Sequence, residues 1–197
     1  MQRRSFLLAA ASTALTGVAV SGCGTTSTAS ATDPKTTSTS QKQGQIDAAV
    51  DAGLSRLYSA IPGSRELVAK SNGMLIFPSV IAAGLGIGGE YGEGALRVNN
   101  RTEDYYNLAS VSFGLQIGAQ SKMIGFLFMT QDGLDKFRKS AGWSVGADAS
   151  VAVLKTGANG AIDINSVNAP VVAFVLTNAG LMANLTLSGT KITKLKA

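Results

Sequence analysis

MLIFPSVIAAGLGIGGEYGEG, from Met74 to Gly94, decides how the rest of this chain is read. An apolar run meets a proline and then dissolves into small residues, with glycine at 84, 86, 88, 89, 92 and 94. Side chains are absent from such a window because the backbone needs positive φ or because another surface comes close. Gly84-Leu85-Gly86-Ile87-Gly88-Gly89 satisfies GxGxxG literally, but that fingerprint works by presenting a following helix N-terminus to a pyrophosphate. Glu90-Tyr91-Gly92-Glu93-Gly94 cannot open a helix, and no lysine strand or HRD-like loop follows to suit a kinase-type glycine loop. The stretch therefore reads as a strand at Met74–Phe77, an edge, bulge or strand end at Pro78, a close-packed glycine crossing, and a short strand at Ala95–Val98.

Working outward, Gln45–Ala60 carries Ile46, Val50, Leu54, Leu57 and Ile61 at helical spacing, with acids and one arginine elsewhere on the wheel, so an amphipathic helix precedes the glycine stretch. Pro62-Gly63 stops it. Ser64 is placed to cap a second, short helix to about Ser71. Beyond a turn at Asn99-Asn100-Arg101, Ser110–Gln120 alternates strictly, with Val111, Phe113, Leu115, Ile117 and Ala119 on one face. Met123–Met129 is apolar throughout, as a central strand covered on both faces would be. Thr130 or Asp132 caps a short helix to Lys139, and Trp143–Val153 alternates again. Thr156–Gly160 reads as a turn and Ala161–Ile164 as a short strand. Val171–Leu176 and Leu181–Leu187 flank a hairpin turn at Asn178-Ala179-Gly180, and Lys191–Lys196 closes the chain. The expected class is α+β, predominantly antiparallel β. A strongly curved, half-closed sheet of seven to nine strands carries two or three short helices, one of them amphipathic and N-terminal.

Composition narrows the chemistry. The 197 residues are 45% hydrophobic and 15% charged, with no histidine and one cysteine, Cys23. That removes Ser-His-Asp and Cys-His catalysis, His-ligated zinc, thiolate clusters and an intrachain disulfide. No cofactor or metal is expected and no enzyme is read here. Carboxylate chemistry through Glu90, Glu93 or Asp148 is the route open to one, against solvated or hydrogen-bonded acids. Ser188-Gly189-Thr190-Lys191 fits SxxK without its partner motifs and reads as a turn. With Arg3, Arg4, Lys35, Lys42 and Asp33 set aside, 13 Lys+Arg face 11 Asp+Glu, a surplus of +2 with no aromatic-interleaved basic cluster. Nucleic acid is not expected as a partner.

The first 22 residues read as an export signal: Arg3-Arg4, an apolar run from Phe6 to about Val20, then Val20-Ser21-Gly22-Cys23. Those four residues resemble the lipobox of bacterial lipoproteins, which implies a diacylglyceryl anchor on Cys23. Arg3-Arg4-Ser5-Phe6-Leu7 resembles a twin-arginine signal. Gly24 in place of an aspartate favours the outer membrane, with the domain facing the periplasm. Residues 23–44, the acylated cysteine and a polar Ser/Thr/Gln/Lys tract, are expected to be a tether, and residues 45–197 the domain.

Lys70–Pro78, Ala83–Gly89, Gly114–Gln120, Gly146-Ala147-Asp148-Ala149 and Asn178-Ala179-Gly180-Leu181, in that order, resemble the SYLF lipid-binding domain family over about Ile46 to Ile192. The resemblance implies a non-enzymatic, phosphoinositide-binding-like lipid module. On a lipid-anchored envelope protein, its ligand would be phospholipid. The alternative is a structural or protein-interaction module of the outer envelope, seating a partner or a second copy. In either case the candidate surface is Gly84, Gly86, Gly88 and Gly89 with the helix stripe Ile46, Val50 and Leu54.

Overall fold

The computed structural model describes residues 34–114, 120–154, 162, 168–182, 187 and 189–196, all within the compact unit Asp33–Ala197. Its centre is one strand, β1 (Gly73–Val98), where the sequence suggested two short strands joined by a bend. The first half of β1 pairs antiparallel with β3 (Gln120–Phe128), from Gly73 opposite Phe128 to Ala82 opposite Gln120. The second half pairs antiparallel with β2 (Arg101–Gly114), from Gly86 opposite Gly114 to Val98 opposite Arg101. Pro78 has no N–H to donate, and the register shifts between Phe77 and Val80 around it.

A straight strand would separate Ile76 from Gly94 by roughly 60 Å. Instead a methyl group on Gly94 would collide with the Ile76 carbonyl oxygen and lie 2.7 Å from a ring carbon of Phe77. A methyl on Gly92 would lie 2.7 Å from Val80 Cγ2. β1 therefore coils over itself, and Gly92 and Gly94 are where its two halves meet. These glycines are the close-packed crossing that the sequence suggests.

The remaining strands are β4 (Trp143–Ser144), β5 (Val151–Val153), β6 (Val171–Thr177), β7 (Gly180–Leu181) and β8 (Lys191–Lys194). The sheet runs β4-β8-β2-β1-β3-β6-β5, with β7 beside β6, and is antiparallel except where β5 joins β6. The result is the expected α+β architecture with a strongly curved, half-barrel sheet.

Alternation along β1 and β3 divides the core. Phe77, Phe126 and Phe128 face α3 (Gln131–Lys139) and Trp143, whose ring stands at 89° to Phe126 and 86° to Phe137. Met74, Ile76 and Leu127 face α1 (Pro34–Ala60). The β3 strand is thus covered on both faces, as its unbroken apolar run demanded. Thr130 caps α3, its hydroxyl accepting from the Gly133 N–H at 3.2 Å.

Several local readings change. The α1 helix begins at Pro34, upstream of the apolar periodicity that starts at Ile46; proline is well suited to a first helical turn, and Lys42 holds this segment to Glu93 at 2.8 Å. Ser64 is not a cap. Gly63, at φ 83°, is the N-cap of α2 (Ser64–Lys70), and the buried Ser64 hydroxyl donates to the Ile61 carbonyl at 2.6 Å. Trp143–Val153 is not one strand, because Gly146 takes φ 89° and Asp148 Oδ2 accepts the Ser144 N–H at 2.6 Å, closing a turn between β4 and β5. The Ser110–Gln120 alternation spans the end of β2 and the first residue of β3, with 115–119 outside the described residues. The turn at Thr156–Gly160, most of Ala161–Ile164 and positions 183–186 of the expected last hairpin strand also lie outside them.

Candidate functional site

The candidate residues fall into two places. Ile46, Val50 and Leu54 are buried, packed with Met74, Ile76, Met123 and Leu127 beneath the sheet. Gly84 and Gly86 lie in the middle of β1, Gly88 is half-buried opposite Ser112, and Gly89 is exposed opposite Val111. The stripe packs, through Ala95, on the same face of β1 that carries Gly89, but it is buried there whereas Gly89 is exposed. Cys23 lies outside the described residues.

The glycine stretch instead borders an outward apolar face that includes Val111, the first residue of the apolar side of the Ser110–Gln120 alternation. Val111, Tyr91 and Ile81 keep 63%, 49% and 52% of their surface exposed, and with Met182 they are the large exposed hydrophobics among the described residues. Cross-strand partners and residues two apart share a face, so Gly89, Tyr91, Ala109 and Val111 form one outward patch on β1 and β2. Periodicity reports that a face is apolar. It cannot report whether anything covers that face.

Behind the patch, on the opposite face of β1, Glu90 pairs with Lys122 at 2.7 Å, each side chain 8% exposed, and Ser110 Oγ donates to Glu90 at 3.3 Å. A charge pair this buried is costly to build unless its remaining lone pairs are satisfied. The other acids considered from the sequence are also engaged. Burial pushes the Glu93 carboxyl up, but hydrogen bonds from Lys42 and Tyr91 outweigh it and hold it below its usual range. Burial, reinforced by the bond to Glu93, pushes the Tyr91 phenol up to about 12.

A concavity of about 550 Å³ opens between the N-terminal part of α1 and the end of β8. Ile46, Tyr105 and Leu195 give it apolar walls, and Lys42, Lys194 and Lys196 with Asp104 make its charged rim. Lys194 pairs with Asp104 at 2.6 Å. The Tyr105 hydroxyl donates to Asp47 at 2.8 Å, and burial together with that bond raises its phenol to about 12. Arg97 continues the attachment of α1 to the sheet, binding Asp51 and donating to the Asp47 carbonyl oxygen at 3.2 Å. The guanidinium hydrogen bond holds the Asp51 carboxyl below its ordinary value of 3.8. Sequence reasoning found the helix but not this concavity, which joins residues from both chain ends.

No curated protein matches the chain at a significant level. A family model does, over residues 109–197, from Ala109 on the exposed patch through β3, α3 and the remaining strands; its description is "Ysc84: Las17-binding protein actin regulator". Over those residues the chain is similar to the SYLF (Ysc84) domain family.

Proposed function

We propose that this is a lipid-anchored protein of the bacterial envelope, exported and held at the outer membrane by acylated Cys23, whose SYLF domain binds phospholipid without catalysis. The observation that carries the reading is the outward apolar face of Gly89, Tyr91, Ala109 and Val111. Contiguous apolar surface beside polar edges marks contact with lipid or protein. Support comes from the concavity at Ile46, whose apolar walls and rim of three lysines and Asp104 suit an amphiphile with a polar head. A SYLF domain belongs to a family of binding domains, which fits a non-enzymatic role.

Flotation of the unacylated protein with vesicles tests this. Recovery with phosphatidylglycerol-containing vesicles, reduced by Val111→Glu, is the expected result; no recovery with any vesicle composition counts against lipid binding. The second reading, a protein-interaction module, rests on the same face, and the family description names a protein-binding member. Crosslinking in intact cells from a position beside Gly89 separates the two. A stoichiometric protein adduct favours the second reading, and adducts with lipid favour the first.

A further inference from the structure

α1 is one helix made of two unlike parts. From Ile46 onward it buries Ile46, Val50, Leu54 and Leu57, and Asp47 and Asp51 tie it to Arg97. Between 38 and 45 no residue is buried. The tract Thr36-Thr37-Ser38-Thr39-Ser40 is made of poor helix formers, whose side chains lose rotamer freedom or compete for backbone hydrogen bonds. Helices in proteins are held chiefly by packing of an apolar face, so the first turns of α1 are its least stable part.

Gly44 stands at the junction. Glycine inside a helix costs stability relative to alanine and is normally kept for a close approach or an unusual backbone angle. Neither applies here: Gly44 is helical, and a methyl added to it meets nothing within 4 Å. What glycine supplies at this position is a backbone that bends. Upstream of it, Ser38, Thr39, Lys42 and Gln43 line the concavity of about 550 Å³ that Tyr105 and Leu195 line from the sheet. The Lys42 ammonium meets Glu93 at 2.8 Å with 53% of its side chain exposed, and an exposed pair of this kind holds weakly. The Tyr91 hydroxyl donates at 2.7 Å to the same Glu93 oxygen and so orients the carboxylate that receives Lys42.

We infer that the first turns of α1, up to Gln43, are a hinged arm that bends at Gly44, is latched by Lys42 on Glu93, and gates the concavity. With the latch made, the arm closes one side of the concavity. With it broken, the arm swings off the sheet and opens Ile46, Tyr105 and Leu195 to solvent. The buried stripe from Ile46 to Leu57 stays in place throughout, because its apolar contacts and its ties to Arg97 lie beyond the hinge. The gate does not depend on which molecule enters the concavity, and it is tested without lipid, so its failure would leave the proposed lipid binding standing.

Spin labels at Gln41→Cys on the arm and Lys191→Cys on β8, both exposed positions, report the distance from arm to sheet by double electron–electron resonance. The full chain is used with Cys23→Ser, which leaves only the two labelled thiols. Lys42→Ala removes the latch and installs a better helix former, so opening in this variant reflects the lost ion pair and not a melted helix. Gly44→Ala stiffens the hinge where a methyl has room. A short and a long distance are expected, with the ratio of long to short raised about two- to fivefold in Lys42→Ala, the effect of one exposed ion pair. Gly44→Ala should lower that ratio about four- to fivefold, the effect of one helical glycine. Neither variant touches the core, so unchanged thermal unfolding assigns the shifts to the arm. A single distance in all three proteins, or a ratio that either variant leaves unchanged, overturns the inference.

Discussion

Replacing Gly94 with alanine tests the central claim about the fold, that β1 coils until its two halves touch. The new methyl would collide with the Ile76 carbonyl oxygen and lie 2.8 Å from the carbonyl carbon and 2.7 Å from Phe77 Cδ1. Carbon atoms in good contact are ~3.5–4.0 Å apart, so the strands must separate by about 1 Å. Ile76, Phe77, Ala95 and Leu96 are all fully buried, and the principal obstacle is backbone, which cannot turn aside as a side chain can. Overpacking a tight core costs ~1–3 kcal/mol where neighbours yield, and here the expected loss is about 3 kcal/mol or more. Against a typical total stability of ~5–15 kcal/mol, that lowers the urea midpoint visibly while the slope stays unchanged. Gly92→Ala should cost less, because its nearest obstacle is the Val80 side chain. Gly89→Ala, whose nearest neighbour is the Ser110 carbonyl oxygen at 3.9 Å, should be neutral or stabilise by ~0.4–1 kcal/mol. A Gly94→Ala midpoint equal to that of Gly89→Ala would refute the self-crossing of β1.

Glu90→Gln leaves the Lys122 ammonium buried without its counter-charge and should destabilise by ~3–5 kcal/mol, whereas Glu90→Leu combined with Lys122→Met should recover most of that; a double-mutant cycle in urea measures both. The attachment of α1 should be sensitive to acid. Asp51 and Glu93 have folded-state pKa values below their ordinary 3.8 and 4.5, so their stabilisation is fully present above those values and is lost as pH falls through the depressed ones. Amide exchange in α1 should therefore accelerate below about pH 4 relative to β3, by a modest amount because the Asp51 side chain is largely exposed, and Asp51→Asn should blunt the effect. An α1 exchange rate with no pH dependence beyond that of β3 would contradict this. Thr130→Ala should cost ~1 kcal/mol through the lost cap of α3, read as a shifted thermal midpoint.

What could be read in the sequence, and what could not, follows from the range of the forces involved. The α1 stripe, a cap of α3 at Thr130 or Asp132, the apolar run of β3 and a turn at Asn99-Asn100 are local patterns, and each was legible; the structure gives the cap to Thr130 and positive φ to both asparagines. The single 26-residue β1 was not, because whether a glycine-rich window breaks a strand or lets it coil depends on partners far along the chain. Ser64 fits the pattern of a cap, but Gly63 at φ 83° takes that position and leaves the hydroxyl to Ile61. Val111 shows the same limit at the candidate site. A strict alternation says which residues share its face but not whether that face is covered, and Val111 is 63% exposed. Gly92 and Gly94 lie on one face of β1, where alanine has no space, and Gly89 lies on the other, where a methyl meets only one distant oxygen. Packing within the domain therefore requires the first two glycines and does not require the third. Under the proposed function, an apolar pair such as Gly89 and Val111, left facing outward with no internal demand for it, is where an outside contact would fall, and the functional part of the glycine stretch would then be Gly89 and Tyr91 and not the crossing that makes the fold.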